Sequence, residues 1–182
     1  MTAIYKLVIT AVCTSLCIVL PIALHSIPNA GTLFSPMHIP VLLCGLVCGW
    51  QYGLICGISG PLLSSLITSM PAMAKLPFMM LELAVYGLIV AFVMQFLHTG
   101  RLLSDLYISL LTAMLSGRIL AGIAQALFFA KEGYSFTLWA SSYFFSCFPG
   151  ILVQLILLPV LYLALERTGL IPVRYSSQFS KK

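Results

Sequence analysis

The sequence predicts an all-α integral membrane protein: a six-transmembrane-helix bundle with a short second helix and cytoplasmic N- and C-termini. Three observations predict it. Of 182 residues, 61% are hydrophobic and only 7% are charged, whereas a soluble domain carries roughly 25% charged residues. Too few ionised groups remain to cover a water-facing surface, and lipid is the solvent that suits it. The apolar residues also fall into six runs, separated by gaps rich in Pro and Gly. Finally, the basic residues behind the net charge of +5 lie between those runs and in the tail. That placement reads as a topology signal and excludes a nucleic-acid binder, which would gather them on one face. One membrane domain, 1–182, is expected.

The six spans are expected at about 4–24, 39–50, 52–70, 78–97, 106–129 and 138–165. The first is a retained helix rather than a signal peptide, because it runs into Pro21 and Pro28 with no small-residue cleavage site. The second is too short. At about 1.5 Å per residue it cannot cross a hydrocarbon core of about 30 Å unaided. It must be tilted, extended by its loop, or packed among longer neighbours. The third holds Gly53, Gly57 and Gly60, then Pro61, Ser64 and Ser65. Such a stretch predicts a kink with open space beside it. Threading from a cytoplasmic N-terminus puts Lys6, Arg101, Arg167, Arg174, Lys181 and Lys182 inside and only Lys75 and Lys131 outside. That asymmetry obeys the positive-inside rule, and it requires the short second segment to count as a span.

The six cysteines all sit in apolar runs. Cys13 and Cys17 share a helix face, as do Cys44 and Cys48, but no His or carboxylate accompanies them. They read as small packing residues rather than as a metal site or a disulfide framework.

Two ionisable residues fall inside hydrophobic runs, Glu82 and Arg118. A charge at the bilayer centre costs at least about 2.5 kcal/mol, so such residues face a cavity or one another. Gln125 lies seven residues beyond Arg118, on nearly the same face, with Gly122 between them. Two readings stay open. One is a structural Arg118–Glu82 pair. The other is a guanidinium whose fork receives an anionic group such as a carboxylate. Asn29 in the long first loop, His38 at its end, Tyr86 one turn past Glu82, and Gln154 are further candidate ligand contacts. Each has a plain alternative: a connector, a satisfied core histidine, packing, and a helix–helix hydrogen bond respectively. Ala11 and Ser15 form a small-xxx-small pair that admits another helix closely, from this chain or from a partner.

Other classes fit less well. A membrane-embedded enzyme needs paired Asp, clustered His or a Ser/His dyad. Asp105 is the only Asp, at a helix start where N-capping is expected, and His25, His38 and His98 do not cluster. A channel or scaffold has no need of Arg118 at mid-membrane. The P-loop pattern that binds nucleotide is missing, so any ATP hydrolysis belongs to partners. Capture of a small polar solute remains.

Particular stretches carry a resemblance. They are Ser35-Pro-Met-His-Ile-Pro-Val-Leu-Leu-Cys-Gly45, Gly49-Trp-Gln-Tyr-Gly53, Gly60-Pro-Leu-Leu-Ser-Ser65 and Ser116-Gly-Arg-Ile119. In these, and over nearly the whole chain to about Leu165, the sequence resembles the substrate-binding S components of energy-coupling factor (ECF) vitamin transporters. It looks most like the pantothenate group. The resemblance implies a non-catalytic subunit of an ABC-type importer, without a cofactor of its own, in a bacterial plasma membrane. It implies a vitamin held in an occluded outward pocket under loops one and three. It implies docking on a transmembrane coupling protein (T component) and two ATPase subunits, followed by toppling to release the cargo inside. The family docks through an Ala-xxx-Ala pattern on helix one, which Ala11 matches and Ser15 departs from.

Overall fold

The computed structural model describes residues 1–24, 34–129 and 147–175, and among them every regular element is an α-helix. Helix α1 is Ala3–Ala23, started by Thr2, whose hydroxyl accepts from the Tyr5 amide at 3.4 Å. It leaves Ile4, Leu7, Val8, Val12, Val19 and Ile22 exposed and buries Thr10, Cys13 and Cys17. Exposed aliphatics on one side and small residues on the other suit a helix between lipid and protein.

Helix α2 is His38–Cys48, and all of its residues except Ile39, Leu43 and Val47 are buried. Of the three ways to accommodate a short helix, this chain packs it among longer neighbours. A turn at Gly49, whose φ of 98° is readily adopted by glycine, joins it to α3, Trp50–Thr68. Helices α4 (Leu76–Phe96), α5 (Leu102–Phe129) and α6 (Phe148–Arg167) follow. Among the described residues, four of the six helices, α1, α4, α5 and α6, are long and apolar enough to cross a membrane. The expected six helices with a short second one are present among the described residues, and these four meet the length and apolarity of a span by themselves. α2 is too short, and α3 is diluted by its glycines, serines and Gln51. The expected stretch 138–146 of the last span lies outside the described residues.

α4 is the central helix, packing on α2, α3 and α5. Glycines set that contact. A methyl group added at Gly45 would stand 2.6 Å from the Gly87 carbonyl oxygen, and one at Gly53 would stand 2.8 Å from the Gly45 Cα. One at Gly57 would stand 2.6 Å from the Leu83 carbonyl carbon. So the open space expected beside Gly57 is corrected: the backbone of α4 fills it. The advantage is dispersion, since lipid offers no hydrophobic drive between helices and close approach must supply the attraction.

Cys13, Cys17, Cys44, Cys48 and Cys56 are buried where α1, α2 and α3 meet, all as free thiols. Their protons go to local acceptors: Cys17 to the Met37 carbonyl at 3.6 Å, Cys44 to the Thr10 hydroxyl at 3.6 Å, and Cys48 to the Lys6 carbonyl at 3.7 Å.

The end of the bundle that carries the N-terminus also carries a polar clasp. Asp105 accepts from the Thr99 amide at 3.0 Å, the Thr99 hydroxyl at 2.6 Å and the Tyr175 hydroxyl at 2.7 Å. Arg174 Nε lies 3.2 Å from the same carboxylate, and the Arg174 amide donates to Glu166 at 2.9 Å. Asp105 therefore does not act as the expected N-cap. It sits inside the first turn of α5 and ties the tail to the α4–α5 turn. Asp105→Ala leaves the Arg174 cation without its partner, so a loss of about 3 kcal/mol is expected, read as a lowered thermal midpoint in detergent. A cavity of about 410 Å³ opens beside this clasp, bordered by Lys6, Gly49, Tyr52, Gln95 and Arg174.

Candidate functional site

The polar residues of the interior meet in the other half of the bundle. α4 places Glu82 and Tyr86 one turn apart on its buried face. α5 offers Gly117 at the point of contact, where an added Cβ would overlap the Tyr86 ring. Because that position is glycine, the ring lies against α5 and its hydroxyl reaches between the two helices. Tyr86 donates to Glu82 Oε1 at 2.9 Å, and Arg118 Nε donates to the Tyr86 hydroxyl at 2.9 Å. Arg118 Nε stands 4.0 Å from the same carboxylate oxygen. The charges are thus paired through a phenol rather than in direct contact.

α2 adds His38, its first residue, with Nε2 at 3.4 Å from Glu82 Oε1. Its ring meets the Tyr86 ring edge-on, with centroids 5.1 Å apart. Arg118 is only 3% exposed and Glu82 7%, so neither charge reaches water by stretching along its helix. Each is held by the other and by neutral dipoles, the condition under which an intramembrane charge is tolerated.

A second hook adjoins this network. Gln154 of α6 is fully buried and donates through Nε2 to the Ser35 carbonyl at 3.4 Å. The His38 amide donates to the same carbonyl at 3.0 Å. Ser35 takes a φ of 43°, a left-handed conformation that costs a non-glycine residue energy and is often found at functional sites.

The structure therefore unites Glu82, Arg118, Tyr86 and His38, with Gln154 beside them. Gly122 is buried and Gln125 half-buried further along α5. Asn29 lies outside the described residues. Ala11 and Ser15 are exposed on α1, and the Ser15 hydroxyl folds back onto the Ala11 carbonyl at 2.9 Å. Among the described residues this small pair faces outward rather than toward another helix of the chain. Sequence reasoning missed Ser35 and Gly117. The signals were there in a residue preceding Pro36 and a glycine preceding the buried arginine.

Tyr86→Phe keeps the ring but removes the relay between Glu82 and Arg118. A loss of about 1–3 kcal/mol follows from leaving buried charges less well bonded. Gly117→Ala pushes the whole ring aside and should cost more. Thermal unfolding of the two variants in one detergent checks the order, and a wild-type midpoint for Gly117→Ala contradicts it.

A lipid-facing helix bundle with a buried, charge-paired polar network between its helices is a multi-pass membrane protein built around an intramembrane polar site. A protein-family model described as "ECF transporter, substrate-specific component" matches residues 5–162, and the chain belongs to that family. It is the substrate-specific, non-catalytic subunit of an ECF transporter, which acts on a small molecule together with T and ATPase modules. No curated protein and no solved structure matches the chain.

Proposed function

We infer that this subunit captures pantothenate, an acidic and hydroxylated vitamin, from outside the cell and delivers it inward through a bacterial plasma membrane. The observation that carries the reading is Arg118, almost fully buried and held by Tyr86 above Glu82. A guanidinium has five N–H donors in a planar fork, and the Nε of Arg118 donates to Tyr86. Among buried groups it is the one best matched to a carboxylate. The vitamin's hydroxyls and amide meet the polar groups around it: Glu82, His38, Tyr86 and Gln154 in the network, with Gln125 and Asn29 as outer contacts and Gly122 leaving room beside the α5 face.

The end holding Lys6, Arg101, Arg167 and Arg174 is the cytoplasmic one, by the positive-inside rule. The Arg118 network then sits toward the outer leaflet, as uptake requires. The exposed Ala11 and Ser15 form the close-approach surface for the T component, which couples the subunit to two ATPases.

The direct test is to purify the chain from cells supplied with pantothenate and identify any retained small molecule by native mass spectrometry, followed by calorimetric titration. Retained pantothenate is expected. Its absence, together with no heat on titration, would remove this assignment. A separate expectation concerns docking. Ser15→Phe should abolish ATP-dependent uptake in proteoliposomes containing the full transporter while leaving pantothenate affinity unchanged. Uptake at the wild-type rate would dismiss that surface.

A further inference from the structure

Two buried acceptors in this neighbourhood have no partner among the described residues: Gln154 Oε1 and His38 Nδ1. Their chemical roles follow from what their sister atoms touch. A backbone carbonyl only accepts, so the Gln154 atom facing the Ser35 oxygen is the amide nitrogen, and the remaining Oε1 only accepts. A carboxylate also only accepts, so the His38 nitrogen facing Glu82 carries the proton. In the tautomer that keeps its proton on Nε2, Nδ1 is a lone-pair acceptor. Both side chains belong to one neighbourhood, because the His38 amide and Gln154 Nε2 converge on the same Ser35 carbonyl.

Buried acceptors without donors are uncommon, and each calls for an explanation. Packing alone does not explain them. A leucine would fill the Gln154 position in a lipid-facing bundle without stranding an oxygen, and an aromatic ring would meet Tyr86 as His38 does. The backbone between them is strained as well, at Ser35. Strain, full burial and two bare acceptors in one place are what a site built for an absent donor looks like.

We propose that the captured molecule presents at least two hydrogen-bond donors, O–H or N–H, one to Gln154 Oε1 and one to His38 Nδ1. This deepens the pantothenate reading and rests on it. Arg118 selects the acid and these two acceptors select among acids. Pantothenate offers two hydroxyls and an amide N–H. Nicotinate, an aromatic acid whose anion has no O–H or N–H, satisfies neither acceptor.

The test uses the full chain in lipid nanodiscs and calorimetric titration with three probes: pantothenate, its analogue with both hydroxyls replaced by hydrogen, and nicotinate. Removing the hydroxyls is expected to weaken binding to the wild type roughly 10- to 100-fold, the range for hydrogen bonds lost from a buried site. Nicotinate should bind no better than the dideoxy analogue. In Gln154→Leu the gap between pantothenate and its dideoxy analogue should shrink, because one of the acceptors that reads the hydroxyls is gone. If that variant does not fold, the comparison of probes on the wild type decides alone. Equal wild-type affinity for pantothenate and the dideoxy analogue, as when ordered water fills both acceptors, would overturn the proposal while leaving acid capture intact. No binding of any of the three would overturn the pantothenate reading and this proposal with it.

Discussion

Arg118→Ala should lower pantothenate affinity by on the order of 100-fold or more, the equivalent of losing two charge-assisted hydrogen bonds. The variant does a second thing that must be separated from the first. It strands the Glu82 carboxylate, which is 7% exposed and lies 4.0 Å from Arg118 Nε. Removing one member of a buried pair costs about 3–5 kcal/mol of stability. A fall in binding could then reflect unfolding alone. The Arg118→Ala/Glu82→Gln double variant separates the two effects. It removes both charges, so the stability loss should shrink, while the carboxylate receptor stays absent. The expected pattern is a partly restored thermal midpoint with no restored binding. A folded double variant that binds pantothenate as the wild type does would show that Arg118 is a structural partner of Glu82 and nothing more.

The same residues show how much of the site is legible in a sequence. Glu82 and Arg118 stand out because charge inside an apolar run is expensive and needs a reason. Tyr86 follows from helical spacing alone. The relay they form does not follow, because it depends on Gly117 of another helix leaving room for the Tyr86 ring. Spacing along one helix fixes a face but not the distance to the next helix. α2 repeats the point. Its length is visible, but whether it tilts, extends or is buried depends on its neighbours. The Asp105 clasp was invisible for a third reason. Its partners Arg174 and Tyr175 lie about 70 residues away, in a tail with no pattern of its own. Glycines in α3 suggest a break with space beside them, whereas the space beside Gly53 and Gly57 is occupied by α4. A glycine in a membrane helix states that something comes near or that nothing does, and only the packing tells which.

The glycine contact carries the other large expected effect. Gly87→Ala places a methyl group on the Gly53 peptide of α3, and both contacting groups are backbone. A side-chain clash relaxes by rotation, but here two helix axes must separate. Overpacking costs typically about 1–3 kcal/mol, and this geometry belongs at the upper end, roughly a 10 °C fall in thermal midpoint. Gly100→Ala is the useful contrast. Nothing lies within 4 Å of a Cβ there, and only its φ of 81° is unfavourable, so about 1 kcal/mol is expected from backbone strain alone. The consequence reaches the site because Glu82 and Tyr86 ride on the same helix as Gly87, within five residues of it. Moving α4 relative to its neighbours shifts the Tyr86 ring out of the space that Gly117 of α5 leaves for it. Gly87→Ala should therefore lose pantothenate binding as well as stability, whereas Gly100→Ala should keep its affinity. If Gly87→Ala retained both the wild-type midpoint and the wild-type affinity, the close approach of α3 and α4 would not be what positions the network.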